Sequence, residues 1–382
     1  MAIKKYYADA DNTITNAYKQ DLETRATGAN AGLADILEVF SVYANESTSS
    51  QELSRVLIKF GISEISSDRT AGTVPASGSV SFYLRMYNAE TSRTVPRNIK
   101  MAVHAVSQSW QEGEGIDLET YRDLTYTNEG SNWMSASNTA FWTDINDTLL
   151  VGGSYHTQSI NNADCNTEVH IFKQTLATGL EDLEIDITPL VEQWIAGTYT
   201  NYGVGVALSA SQEAYISGAY NSATSRTPRL PDPADSTRTT IYNPSGSKKS
   251  YYTKRFFARG TQYFFKKPCI EARWNSVTRD DRGEFVYSSS LAPGEDNMNT
   301  IYLYNYIRGK LTNIPAIGKT GSIMVSLYSG SSDNTEPSGS RLILYNGATA
   351  ITGGWVSTGV YTCSLAITAA ATPIKTLYDV WH

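Results

Sequence analysis

The sequence predicts an all-β protein: a large jelly-roll-like β-sandwich with one short helix, followed by a smaller C-terminal β-sandwich. Three observations point there. Apolar residues recur at every second position in many short runs, the period of strands with one buried face. Charged residues make up only 18% of the 382, while Tyr (25) and Gly (28) are abundant, a balance that suits sheets and turns better than a helical enzyme. Helical periodicity is confined to one short stretch within residues 183–208.

That stretch holds three backbone states. Leu183, Ile185 and Ile187 alternate with Glu184 and Asp186 as a strand. Thr188 is then expected to cap a helix whose first position is Pro189, where no N–H bond is needed. Leu190, Val191, Trp194 and Ile195 share one face, which puts Trp194 in the core. Gly197 falls where a left-handed residue closes a helix, and residues 202–208 resume as a strand.

From the start of the chain, a short first strand is followed by the polar tract 13–30, read as a long surface loop. Residues 36–43 and 53–61 read as a hairpin joined by 45–51. Residues 67–77 hold Gly72 and Pro75 and read as a connection. Val80, Phe82, Leu84 and Met86, then Ile99, Met101, Val103 and Ala105, alternate as two further strands. Residues 107–165 are rich in Trp, Gly, Asn and Asp; loops this long in a compact domain are functional or pinned by aromatic packing. Residues 226–249 read as an exposed Pro-containing loop, and 252–257 and 269–274 return to the sheet. Apolar periodicity lapses at the charged stretch 276–284, so the expected domains are 1–276 and 277–382. In the second, strands are expected at 301–307, 322–328, 341–345, 359–367 and 374–381, separated by turn chemistry such as Tyr345-Asn-Gly347 and Gly353-Gly354.

A net charge of −7 argues against nucleic acid as a partner, because phosphate binding is dominated by Lys and Arg. No apolar run approaches the roughly 20 residues of a membrane span, so no membrane insertion is expected. The opening Met1-Ala-Ile-Lys-Lys-Tyr-Tyr lacks the apolar core of a secretory signal, which implies synthesis in a cytoplasm. Cys165, Cys269 and Cys363 are odd in number and far apart, so they read as small core residues rather than a disulfide framework. His104, His156, His170 and His382 have no zinc-like spacing and read as packed or edge residues. Gly318-Lys319-Thr320 resembles the end of a P-loop, but Asn313 stands where its first glycine belongs.

Glu112, Glu114, Asp117 and Glu119 follow Trp110 closely. They read as a solvated loop, as oxygens for a bound calcium, or as the carboxylates a sugar-cleaving site would need; no other cofactor is expected. Trp110, Trp133 and Trp142 are candidates for contact with a protein or glycan as well as for the core. Tyr251, Tyr252, Lys254 and Arg255 open a tract, ending at Lys267, in which basic and aromatic residues interleave. It reads as two strands with basic outer faces, or as a contact for an acidic protein. Tyr302, Tyr304 and Tyr306 are expected along one face of a strand, a further contact surface.

D-I-T-P-L-V-x-x-W-I-x-G followed by N-Y-G-V-G-V, within 186–206, resembles the signature segment of the DNRLRE family of β-sandwich modules. Tyr7-Ala-Asp-Ala-Asp11, L-S-R-V-L-I-K-F at 53–60, W-Q-E-G-E-G at 110–115, Trp142 with Gly152-Gly153, Phe257-Ala-Arg259 and K-P-C-I-E-A-R at 267–273 follow in the family's order. The name-giving tract itself is not literally present near residues 255–261. The resemblance spans residues 7–275, and the whole chain, with its Tyr378-Asp-Val-Trp-His382 ending, is similar to virion structural proteins of marine tailed bacteriophages. The resemblance implies a non-enzymatic component of the virion exterior, a decoration, neck or tail-associated protein that contacts other virion proteins and copies of itself. Polysaccharide-binding members of the family imply, as the alternative, an adsorption module for a host surface glycan; a polysaccharide-degrading enzyme comes third.

Overall fold

The computed structural model describes residues 1–19, 25–43, 51–91, 95–116, 130–157, 165–216, 240–249, 251–288, 291, 293–330, 339–368 and 376–382. Strand outweighs helix, 41% against 11%, which makes the protein all-β. The chain divides into two compact units, Met1–Asn275 and Ser276–His382.

The first unit contains β1 (Ala2–Thr15), β2 (Ile36–Tyr43), β3 (Gln51–Phe60), α1 (Ile62–Ala71), β4 (Val80–Met86), β5 (Ile99–Ala105), α2 (Thr167–His170), β6 (Ile171–Leu176), β7 (Leu183–Asp186), α3 (Thr188–Ala196), β8 (Val204–Leu208), β9 (Tyr251–Phe257) and β10 (Cys269–Trp274). β1 belongs to two antiparallel ladders. Its residues 2–7 pair with β10, beyond which lie β4 and β7; after an irregularity at Ala8/Ala10 it pairs with β3, followed by β8, β5 and β6. Strands that change sheets in this way make the corners of sandwiches. Phe82, Leu84, Ile185 and Ile270 of one ladder and Val56, Ile58, Met101, Val103 and Val206 of the other meet in a single core. Each such fully buried side chain contributes roughly 1.5–3 kcal/mol relative to exposure. β2 joins β3 over three residue pairs and otherwise pairs with β9.

α3 buries Leu190, Val191 and Trp194, and Gly197 closes it at φ 72°. Its start differs from the expectation. Ile187 occupies the cap, and the Thr188 hydroxyl instead accepts a hydrogen bond from the Phe82 backbone N–H at 2.7 Å and donates one to Asp186 Oδ1 at 2.6 Å. The threonine therefore ties the helix to β4. α1 replaces part of the expected connection at 67–77. Its sequence has no apolar stripe, and only Ile65 is buried; it is held by Gly72 in the left-handed region and by Arg69, which donates to both carboxylate oxygens of Glu192 on α3 at 2.6 and 2.8 Å.

The tract 13–30 is not a surface loop where it is described. β1 runs on to Thr15, and Thr13, Thr15, Asn16 and Asn30 are buried. Asn16 Oδ1 accepts from Leu53 N at 2.6 Å, the Thr15 hydroxyl donates to Leu53 O, and Asn12 Oδ1 accepts from Ala31 N. Polar side chains lie inside here because they complete backbone hydrogen bonds that would otherwise be lost. Residues 45–50 of the hairpin joint and 226–239 of the Pro-containing loop lie outside the described residues.

The second unit contains β11 (Asn299–Tyr304), β12 (Tyr306–Ile307), β13 (Lys310–Leu311), β14 (Ile323–Gly330), β15 (Ile351–Ser357), β16 (Val360–Leu365) and β17 (Thr376–Trp381), in the order β11-β16-β15-β14-β17 with β12 and β13 as a separate hairpin. β15 also changes partner: residues 351–353 pair with β14, and from Gly354 onward it pairs with β16. Ile301, Val325, Leu327, Cys363 and Leu365 form the core. Residues 341–345 are not a strand; Leu344 is buried there, and Leu342 N bonds Leu327 O. Asn313 Oδ1 accepts from Gly359 N and Trp355 Nε1, which makes the tract before Gly318 a structural turn.

Candidate interaction surface

The aromatic candidates fall on opposite sides of the protein boundary. Trp133 and Trp142 are fully buried and Trp110 nearly so, and the three join Ile14, Leu53, Leu57, Val151 and Tyr155 in a second core. Leu53 and Leu57 of β3 point there while Val56 and Ile58 point into the main core, so the loop region after β5 covers the other face of its sheet. Trp110 Nε1 donates to Tyr202 O and Trp142 Nε1 to Asn132 O, each at 2.8 Å. These tryptophans are therefore not contact residues of the folded chain. An indole with a backbone acceptor at hand is at least cost inside. Gly153, at φ 97°, leaves the room that the Tyr155 ring fills; a Cβ there would lie 2.2 Å from the Tyr155 hydroxyl oxygen.

An ion pair is enclosed in the same layer. Arg55 donates to both oxygens of Glu213 at 3.0 and 2.9 Å and to Gly152 O at 3.1 Å, with the rings of Trp133 and Tyr155 at 5.8 and 5.7 Å from its guanidinium carbon. Burial, and next the Arg55 charge, pull His104 down to about 4, so the imidazole is neutral. His156 and His170, far apart in sequence, stack at 4.3 Å, with Tyr199 edge-on to His170 at 4.5 Å. Among the described residues no group of three or more His, Cys, Asp or Glu is arranged to hold a metal ion. All three cysteines are free thiols.

The carboxylate run after Trp110 is also partly internal. Glu112 receives Arg259 through Nε at 3.0 Å and Nη2 at 2.8 Å, and its Oε1 accepts from Asp11 N. Arg259 N in turn donates to Asp11 Oδ2 at 2.5 Å. Burial pushes Asp11 up to about 7; the Arg259 N–H and charge oppose the rise and the Glu112 charge adds to it. A guanidinium already holds the oxygens that a calcium ion would need from Glu112. Asp117 and Glu119 lie outside the described residues.

In the basic and aromatic tract, Tyr251 is 67% exposed and stacks on Tyr252 with ring centroids 5.5 Å apart. Lys254 departs from the expected basic outer face: it is buried, and its Nζ donates to Asn88 Oδ1, Gly179 O and Glu181 O at 2.6–2.9 Å. Arg255 Nε donates to Glu38 at 3.2 Å. The open aromatic surface comes later, in the 3-10 turn Phe264–Lys266. Phe264 is 54% and Phe265 76% exposed, Tyr263 lies beside them, and Tyr7 packs on Phe264 at 4.8 Å. Lys266 Nζ lies over Phe257 at 4.7 Å and Lys267 Nζ over Phe264 at 5.8 Å. The two adjacent phenylalanines with no alternation were the signal for this turn, and strand periodicity gives it no weight.

In the second unit Tyr302 and Tyr304 share β11 with rings 6.3 Å apart, but Tyr306 starts another strand. Asn305 breaks the run by donating from Nδ2 to Thr312 O at 2.6 Å. Tyr304 and Tyr306 are exposed, and Ile307 and Leu311 of the β12–β13 hairpin are exposed too. No described helix is long and apolar enough to cross a membrane. The chain matches no family model and no curated protein.

Proposed function

We propose that this chain is a non-enzymatic structural component of a tailed-bacteriophage virion, carried on the particle exterior, and that it docks the turn 263–267 onto a neighbouring virion protein with an acidic rim. The virion setting rests on the sequence resemblance. The docking rests on one observation: Phe264 and Phe265 stand exposed together beside Lys266 and Lys267. Single exposed apolar residues are ordinary, whereas an aromatic cluster rimmed by charge has the make-up of an interface core with its polar edge. Glu112, Glu213 and Glu192 are each already engaged by an arginine, which favours a contact role over hydrolysis. A stable interface removes roughly 1,200–2,000 Å² in total, so copies of the chain on repeated positions also fit.

The test is covalent footprinting of lysines and aromatic rings in intact particles and in the isolated chain. Protection of Tyr263, Lys266 and Lys267 in the particle is expected. Equal labelling in both states, or absence of the chain from purified particles, defeats the proposal. A second reading is favoured by Tyr251, an exposed ring backed by the partly buried Tyr252 on which it stacks, the kind of surface on which a sugar ring packs. Retention on a host-polysaccharide affinity gel that Tyr251→Ala abolishes would support it.

A further inference from the structure

We propose that Lys254 and Asn88 form an intramolecular isopeptide bond, a covalent cross-link across the edge of the larger sandwich. The two residues are 166 positions apart in sequence, yet Lys254 Nζ lies 2.6 Å from Asn88 Oδ1, which brings the carbonyl carbon Cγ one bond beyond the contact. The placement is enforced from both sides. The segment around Asn88 runs antiparallel to β9, bridging Phe256, with Ala89 N bonded to Arg255 O and Phe257 N to Tyr87 O. Asn88 N is anchored on Asp182 Oδ1 at 2.8 Å. Lys254 is 2% exposed, its Nζ is 5.1 Å from the Phe256 ring centre, and Gly179 O and Glu181 O hold it at 2.9 and 2.7 Å. The loop supplying those carbonyls is itself fixed, because Gly179 adopts φ 80° and a Cβ there would meet Pro96 O at 2.2 Å.

The three donations from Nζ are those of the ammonium form; the chemistry needs the deprotonated amine, which keeps two of them and has a free lone pair beside the Asn88 carboxamide. Burial pulls Lys254 down to about 8, with the charges of Glu181 and Asp182 opposing, so neutral amine is present at neutral pH. A lysine stripped of water by burial is a stronger nucleophile, once deprotonated, than one in water. Fixing amine and amide in one geometry supplies an effective concentration of roughly 10⁵ M or more, the range of well-oriented intramolecular reactions. In the step itself, the Nζ–Cγ bond forms and the Cγ–Nδ2 bond breaks. One proton passes from Nζ to Nδ2, so a neutral amine and a carboxamide become a secondary amide and ammonia, with no oxidant or reductant. A small pocket lined by Asn88, Ala89, Val95, Gly179 and Leu180 opens beside Nζ and gives the ammonia a way out. The remaining amide N–H still has a carbonyl of Gly179 or Glu181 to bond.

The experiment is intact mass spectrometry of the full chain after prolonged incubation at pH 8, followed by peptide mapping. The expected mass is about 17 Da below that of the sequence, one ammonia lost, with a branched peptide joining the Asn88 and Lys254 segments. Lys254→Arg and Asn88→Ala should each retain the full sequence mass. A chain of unaltered mass overturns the proposal, and so does a chain lacking one ammonia in which no branched peptide joins these two segments, because succinimide formation at another asparagine gives the same mass. The unsubstituted chain alone decides the question if either variant fails to fold.

Discussion

The layer of Trp133, Trp142 and Tyr155 and the turn of Tyr263, Phe264 and Phe265 are equally aromatic, yet one is sealed and the other open. In the layer, chain returns over the rings: glycines at 152 and 153 admit them, Asn132 O receives the Trp142 N–H, and Arg55 with Glu213 closes the space. At the turn, nothing among the described residues covers Phe265, and the flanking lysines lay their ammonium groups over neighbouring rings. Aromatic content alone does not say which side of the surface a ring takes. What decides is whether polar atoms and small residues nearby allow the chain to fold back over it.

The comparison breaks most sharply at the ion pair inside the sealed layer. Glu213→Ala strands the Arg55 guanidinium in a buried site, and removing one partner of a buried pair costs about 3–5 kcal/mol. Urea unfolding of the larger unit, followed by tryptophan fluorescence, should show that loss; a change under about 1 kcal/mol would mean that water reaches Arg55 and that the layer is not sealed. Trp142→Phe removes the N–H together with part of the bicyclic ring, leaving Asn132 O without that donor and a small cavity at a fully buried position. A loss of about 1–3 kcal/mol is expected in the same measurement.

A smaller effect concerns pH. Asp11 sits under the Arg259–Glu112 pair with Oδ1 unpartnered among the described residues, and its pKa stands at about 7 against an ordinary 3.8. A carboxyl with a raised folded-state pKa binds its proton more tightly in the folded chain. Its contribution is therefore complete below pH 3.8 and is lost as pH rises through about 7. Asp11→Asn should remove that decline and gain about 1–2 kcal/mol at pH 8 while changing little at pH 4. Stability curves of the two chains that stay parallel from pH 4 to 8 would refute the assignment.

The strands with one buried face were legible in the sequence because period-two alternation reports burial directly: Val80 to Met86 and Ile99 to Ala105 lie as their pattern requires. Trp194 and Gly197 were legible for similar local reasons. α1 was not, because its stability comes from Arg69 and Glu192, a pairing 123 residues apart that no local pattern carries. The tract 13–19 was misread for a related cause, since Asn16 and Thr15 look like solvent residues until the backbone of Leu53 is placed beside them. Of the expected contact residues, Tyr251, Tyr304 and Tyr306 reached the surface, whereas the three tryptophans and Lys254 turned inward, Trp110 and Lys254 onto partners from distant segments and Trp142 onto Asn132 O.

The open turn gives the smallest effect on the folded chain and the most specific one on assembly. Phe265 is 76% exposed and meets Phe264 edge-on at 5.5 Å, so Phe265→Ser removes little buried area and should leave stability within about 0.5 kcal/mol. If the ring is the anchor of a docked face, the same change removes a desolvated aromatic from the centre of that interface, where truncations typically cost about 2 kcal/mol or more. Incorporation of the variant into particles, measured against the unsubstituted chain in competition, should fall at least tenfold, the factor that about 1.4 kcal/mol represents. Lys266→Glu should lower the rate of capture and its salt dependence while leaving folding intact, since rim charges act mainly on association. Normal incorporation of both variants would show that the exposed rings are incidental, and the contrast with the sealed layer would then concern folding alone.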